Sequence, residues 1–211
     1  MATSGLIKAG LVVLAPGGGE VQRAIALQYN PETLTRSFEP QGVGGGGDGV
    51  AGGQTYHFTG PAIESIQLVT TLDATDALER ADANPRVVQT GIASQLAMLE
   101  ALVQPSADEL TTQAHRPKDV HEAPLVLFVW GAHRVVPVRI TQLSIVEEAF
   151  DRALNPLRAR VALGLRVLTT ADFSPAHRGS AIFLAYLRGR EALARTAPAV
   201  ALEALGLQVL P

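Results

Sequence analysis

Glu147, Glu148 and Asp151 place three carboxylates within five positions of one another. Paired carboxylates perform acid–base work when a pocket shifts their pKa values. Here Arg152 and Arg158 follow at once, and a set of surface ion pairs is the favoured reading. His115, Asp119 and His121, in "HRPKDVH", are the nearest approach to a metal cluster. Their spacing does not bring all three to one helical face, and Pro117 precludes a regular helix, so the segment reads as a solvated loop rather than a metal site. His57 stands alone on a strand-like segment and reads as a structural or surface residue. Trp130, the only tryptophan, precedes Gly131 and has the chemistry to stack a base or a sugar. At a hairpin end, packing onto neighbouring side chains is the favoured reading. With no cysteine there is no thiol nucleophile, thiolate metal site or disulfide, and no G-x-S-x-G elbow occurs. No catalytic constellation, cofactor or metal site is expected.

The glycine-rich stretch "QGVGGGGDGVAGG" (41–53) invites a phosphate-binding reading. A phosphate loop needs a Lys-Ser or Lys-Thr and a following helix. No such lysine follows, and "QTYHF" reads as a strand, so an exposed flexible loop is expected.

The elements that would position these residues are mostly strands. Segments 8–14 and 23–29 read as strands joined by "APGGGE", the second with Ile25, Leu27 and Tyr29 alternating against Ala24, Ala26 and Gln28. Segment 65–72 is a further strand. Asn84-Pro85 marks a helix start, asparagine as cap, and a helix over 84–103 would carry Val88, Ile92, Leu96, Leu99 and Val103 as one apolar stripe. Segment 104–124 is polar and rich in turn formers, hence a loop. Strands at 125–130 and 133–145 make a hairpin turning at Gly131-Ala132. In the second of them Val136, Val138 and Ile140 share one parity while Leu143 and Ile145 take the other. A period of two cannot accommodate that without a bulge near Thr141-Gln142. After the polar link "EEAFDRALNP", segment 158–168 alternates Val161, Leu163, Leu165 and Val167 with a wet face bearing Arg160 and Arg166. A helix is expected over 180–195.

The 211 residues suit one domain with a modest appendage. A net charge of −3 and no Lys/Arg run longer than two residues argue against a nucleic-acid surface. The N-terminal apolar run 11–15 is too short for a signal peptide and reads as strand, and no stretch is long enough to span a membrane. The reading from residues alone is a β-rich domain with two helices.

In order, "LQYNPETLTRSF", "PAIESIQLVTTLDATD", "GIASQLAMLEAL" and "PLVLFVWGAHRVVPVRITQLSIVEEAFDRALNPLRARVALGLRVL" resemble the tube–baseplate adaptor proteins of contractile injection systems, over roughly 6–172. Most specific are Asn30-Pro31 after a strand, Trp130-Gly131 in the hairpin, and the run carrying Glu147, Phe150, Asp151, Asn155 and Pro156. The resemblance implies a mainly β (α+β) fold, a tail-tube-like β-sandwich or partial barrel with a packed helix, over 1–172. A helical extension would follow over 173–211. It implies a homo-oligomer, a hexameric ring that adapts the spike hub and baseplate to the inner tube and seeds tube growth. It implies no turnover, and assembly in the cytoplasm into a phage-like particle. Arg160 and Arg166 would then line a lumen or meet an acidic edge of a neighbouring subunit. Many members carry a C-terminal LysM module; residues 173–211 show no such pattern. The competing reading is a stand-alone ligand-binding β-barrel using Trp130 and Arg166.

Overall fold

The computed structural model describes residues 6–43, 56–115, 123–200, 202–205 and 208. Seven strands and five helices follow in chain order. They are β1 (Gly10–Leu14), β2 (Val21–Ala26), β3 (Leu34–Val43), β4 (His57–Asp73), α1 (Thr75–Leu78), α2 (Pro85–Thr90), α3 (Ala93–Glu100) and α4 (Ala107–His115). Then come β5 (Leu125–Val129), β6 (Val135–Phe150), β7 (Pro156–Val167) and α5 (Arg178–Arg195). All seven strands join one antiparallel sheet in the order β2-β1-β5-β6-β7-β4-β3. The fold is mainly β with packed helices, as expected. The order ends at β2 and β3, so among the described residues the sheet is open rather than a closed barrel.

The alternation of apolar residues places the core. Ile66 and Leu68 of β4, Val161, Leu163 and Leu165 of β7 and Val136 and Val138 of β6 meet in one buried cluster, closed by Ile92, Leu96, Leu99, Phe183 and Tyr186. A smaller cluster gathers Leu14, Leu125 and Leu127, with Phe173 and Ile182 against it. Neighbouring residues of a strand point to opposite faces, so β5 is buried on both. The bulge sits where the parity switch requires it. The register of β6 on β7 slips between Ile140 and Gln142, and Ile140, Leu143 and Ile145 oppose Leu165, Leu163 and Val161. One extra residue, Thr141, keeps both halves of a 16-residue strand facing the same core.

Five expectations are corrected. The helix over 84–103 is two helices, broken at Gly91, whose φ of 56° suits glycine. The break lets the Ile92 N–H donate to the Pro156 carbonyl at 2.8 Å. Asn84 precedes α2 but does not cap it through its side chain; its amide donates to the carbonyls of Ala77 and Arg80 instead. Val88 and Val103, at the ends of the expected stripe, are about half exposed.

Segment 104–124 contains α4, started by a capping box. The Glu109 carboxylate accepts from the Ser106 N–H and hydroxyl at 2.7 and 2.9 Å, and the Glu109 N–H donates to Ser106 Oγ at 3.2 Å. The link "EEAFDRALNP" is the tip of a hairpin: β6 runs to Phe150 and β7 begins at Pro156. Of 41–53, the first three residues belong to β3; the remainder, with Asp119 and His121, lie outside the described residues.

Candidate functional site

Each motif residue singled out in the sequence has a definable place. Asn30 clamps the chain ahead of β1: its Oδ1 accepts from Ala9 N–H at 2.9 Å and its amide donates to Ile7 O at 2.8 Å. Pro31 follows, half-buried, in the link to β3. Asn30→Ala is expected to cost about 1–2 kcal/mol through two lost backbone contacts. Hydrogen exchange checks this, the amides of Ala9 and Gly10 losing protection first.

Asp151 ties the β6–β7 turn. Its carboxylate accepts from Ala153 N–H at 2.7 Å, Asn155 N–H at 2.8 Å and the Asn155 side-chain amide at 2.8 Å, while Leu154 takes a φ of 64°. These bonds, the Asn155 side chain first, hold the Asp151 carboxyl below its ordinary range. Trp130 packs on Phe128, ring centroids 5.9 Å apart, and Gly131 turns the chain at φ 74°. Glu147 and Phe150 are exposed near the C-terminal end of β6.

The ion pairs differ from those expected. Glu148 pairs with Arg160 at 3.2 Å, and Arg158 turns away from the trio to Asp73 at 2.7 Å. Arg166 pairs with Asp172 at 3.0 Å and does not line the hollow beside Trp130. The reason is register: Arg158 opposes Asp73 and Arg166 opposes Ser65 across β4, on the side of β7 away from the core. His57 opens β4 and is exposed. No group of three metal-ligating side chains exists among the described residues.

Asp73 joins three elements at the end of β4. Its carboxylate accepts from the Thr75 hydroxyl and N–H and from Arg158 Nε, and its backbone is bracketed by the Gln28 side-chain amide at 2.7 and 2.8 Å. The Thr75 bonds, hydroxyl first, and then Arg158 hold its carboxyl below the usual range. A depressed acid stabilises fully above its unfolded-state pKa and loses that contribution as pH falls through its lower folded-state value. Melting temperature is therefore expected to fall on acidification below about pH 4, and less steeply in Asp73→Asn.

Two surfaces remain that the sequence did not announce. The first is an arm. β4 spans 17 residues, but β7 pairs only with Ser65–Asp73, so 57–64 and the facing half of β3 project beyond the sheet as a two-stranded ribbon. Phe58 is 77 % exposed and Val43 62 %, with Phe38 and Tyr56 also open to solvent and Tyr56 edge-on to Phe58.

The second is a cluster at the base of that arm. Glu64, 3 % exposed, accepts from Arg36 Nε at 2.7 Å and from the Tyr186 hydroxyl at 3.2 and 3.3 Å, with Arg190 at 3.6 Å. Burial first, then the Glu64 charge, raises the Tyr186 phenol. Arg36 and Arg190 each lie 4.8 Å from the Phe38 ring centre. The cluster offers charge and stacking faces but no nucleophile–base pair.

Among the described residues the domain is an open single sheet with an exposed apolar arm. The family profile "contractile injection system tube protein" matches residues 12–173, and the chain belongs to that family. It is thus a tube-related structural component of a contractile injection system. Among solved structures it is similar to a chain in the tail of an empty GTA particle refined with C6 symmetry. There the identity is 16%, with 75% of this chain and 90% of that chain covered at a TM-score of 0.29. It is also similar to a chain in the six-fold symmetrised baseplate of the anti-feeding prophage, at 12% identity, 80% and 94% coverage and a TM-score of 0.27. No curated protein matches it. The family match carries the assignment.

Proposed function

We propose that the chain is a non-catalytic adaptor subunit that closes into a hexameric ring between the spike-bearing hub and the inner tube and seeds tube growth. The observation that carries this is the β3–β4 arm. An isolated two-stranded ribbon is marginal in water, and exposed apolar residues such as Phe58 and Val43 on it call for cover by another chain. Edge strands β2 and β3 offer unpaired backbone for the same purpose.

In this reading residues 1–172 are the tube-like domain, and the family match over 12–173 supports that division. Residues 173–211 are an extension. Asn30, Pro31, Trp130, Gly131, Asp151, Asn155 and Pro156 shape the subunit. Glu147 and Phe150 at the hairpin tip, with Arg160 and Arg166, face a neighbour or the lumen. Assembly takes place in the cytoplasm, the product being a phage-like particle; among the described residues no helix is long and apolar enough to cross a membrane.

Seeding is tested by adding the chain substoichiometrically to the inner tube protein and following tube growth by turbidity and electron microscopy. A shortened lag with one adaptor per tube end is expected. An unchanged lag, with no adaptor on the tubes, would rule the role out.

A further inference from the structure

The Glu64 cluster opens into a hollow of about 440 Å³ lined by Arg36, Trp130, His133, Arg134, Tyr186 and Arg190. That volume lies within the range of ligand sites. Three guanidiniums converge on it against one carboxylate, Glu64, in a chain whose overall charge is −3. Arg36 and Arg190 have Glu64 as partner. Arg134 is half-buried, and its side chain interacts with Glu64 and Tyr186 through charge alone. Burial first, and then Arg36, make its charged form less favourable than an ordinary arginine's, with Tyr186 and Glu64 offsetting part of this. A partly buried guanidinium that shares a hollow with two others suits an oxyanion.

We infer that this hollow receives an acidic peptide segment of another protein chain, its carboxylates meeting Arg134, Arg36 and Arg190 and its backbone lying along Trp130. The shape favours a peptide over a free anion. The guanidiniums come from β3, the β5–β6 turn and α5, spread around a space far larger than one phosphate, and Trp130 and Leu193 line it beside them. Tyr186, Arg190 and Leu193 lie on α5, outside the span of the family match, so the site belongs to this chain's own extension together with the shared domain. The inference stands whether or not the chain forms rings.

Trp130 is the only tryptophan, so its emission reports on the hollow directly. The purified full chain is titrated with N-acetylated, C-amidated triglutamate, with the same peptide made of glutamine, and with inorganic phosphate. Triglutamate is expected to shift the emission saturably and to bind more weakly as salt rises, with no response to triglutamine and a response to phosphate at least tenfold weaker. Arg134→Gln is expected to weaken triglutamate at least tenfold, Arg134→Lys to fall between, and Arg139→Gln, on the exposed part of β6, to change nothing. Circular dichroism and melting of each variant establish that it is folded; Arg134→Lys decides the matter if Arg134→Gln is not. No saturable response to triglutamate would overturn the inference. So would phosphate binding as tightly as the peptide, or unaltered binding by both Arg134 variants.

Discussion

Replacing Glu64 with alanine is expected to cost about 3 kcal/mol, the penalty for breaking a buried pair by removing one partner. For a chain of this size that is a fall of roughly 6–12 °C in melting temperature. Glu64 accepts from Arg36 and Tyr186 and faces Arg190, so its loss leaves two guanidiniums and a phenol with no anion between them, at the base of the arm. Arg36 keeps 22% of its side-chain exposure and can turn to water, which holds the cost to the lower end of the range for buried pairs. Glu64→Gln retains an acceptor for both donors and is expected to cost roughly half as much. Thermal and urea melts of the three proteins check this. Equal stability of Glu64→Ala and the parent would mean that the cluster does not fasten α5 and the arm to the sheet.

Gly91→Ala is expected to cost as much or more, for a reason of backbone rather than charge. A Cβ at Gly91 would lie 2.0 Å from the Pro156 carbonyl oxygen, and the residue's φ of 56° with ψ of −133° is strained for any L side chain. The φ penalty alone is on the order of 1–3 kcal/mol. The clash must in addition push α2 away from the β6–β7 turn and break the Ile92–Pro156 hydrogen bond. Gly131→Ala isolates the first contribution. Gly131 also has positive φ, at 74°, but a Cβ there meets nothing within 4 Å. It is expected to lose about 1–2 kcal/mol. Melting the two variants side by side separates strain from collision; equal losses would refute the role given to Pro156.

How much of this was legible depended on range along the chain. Apolar alternation over 158–168 and the parity switch in β6 gave a strand, its buried face and a bulge at Thr141, because a period of two cannot slip without exposing the core. Gly91 falls inside the helix expected over 84–103, since the carbonyl that requires its conformation comes from Pro156, a partner no local pattern contains. The capping box Ser106-Ala-Asp-Glu109 lies inside a stretch whose polar, turn-rich composition reads as a loop. Of the acidic trio, among the described residues, only Glu148 forms an ion pair, with Arg160, while Asp151 ties its own turn; pairing follows the register of β6, β7 and β4 rather than proximity in sequence. Least legible was the arginine hollow: Arg36 and Tyr186 meet at 2.7 Å across 150 positions of chain. The one available signal was Trp130 beside Gly131, which marked the place without its chemistry.

The most direct test of the structural role is the mass of the purified chain in solution by multi-angle light scattering, alone and mixed with the inner tube protein. A ring subunit gives a species near six times the 22.2 kDa of one chain, either by itself or only when the tube protein is present. A species that stays at 22.2 kDa and leaves the tube protein's own mass unaltered would contradict it.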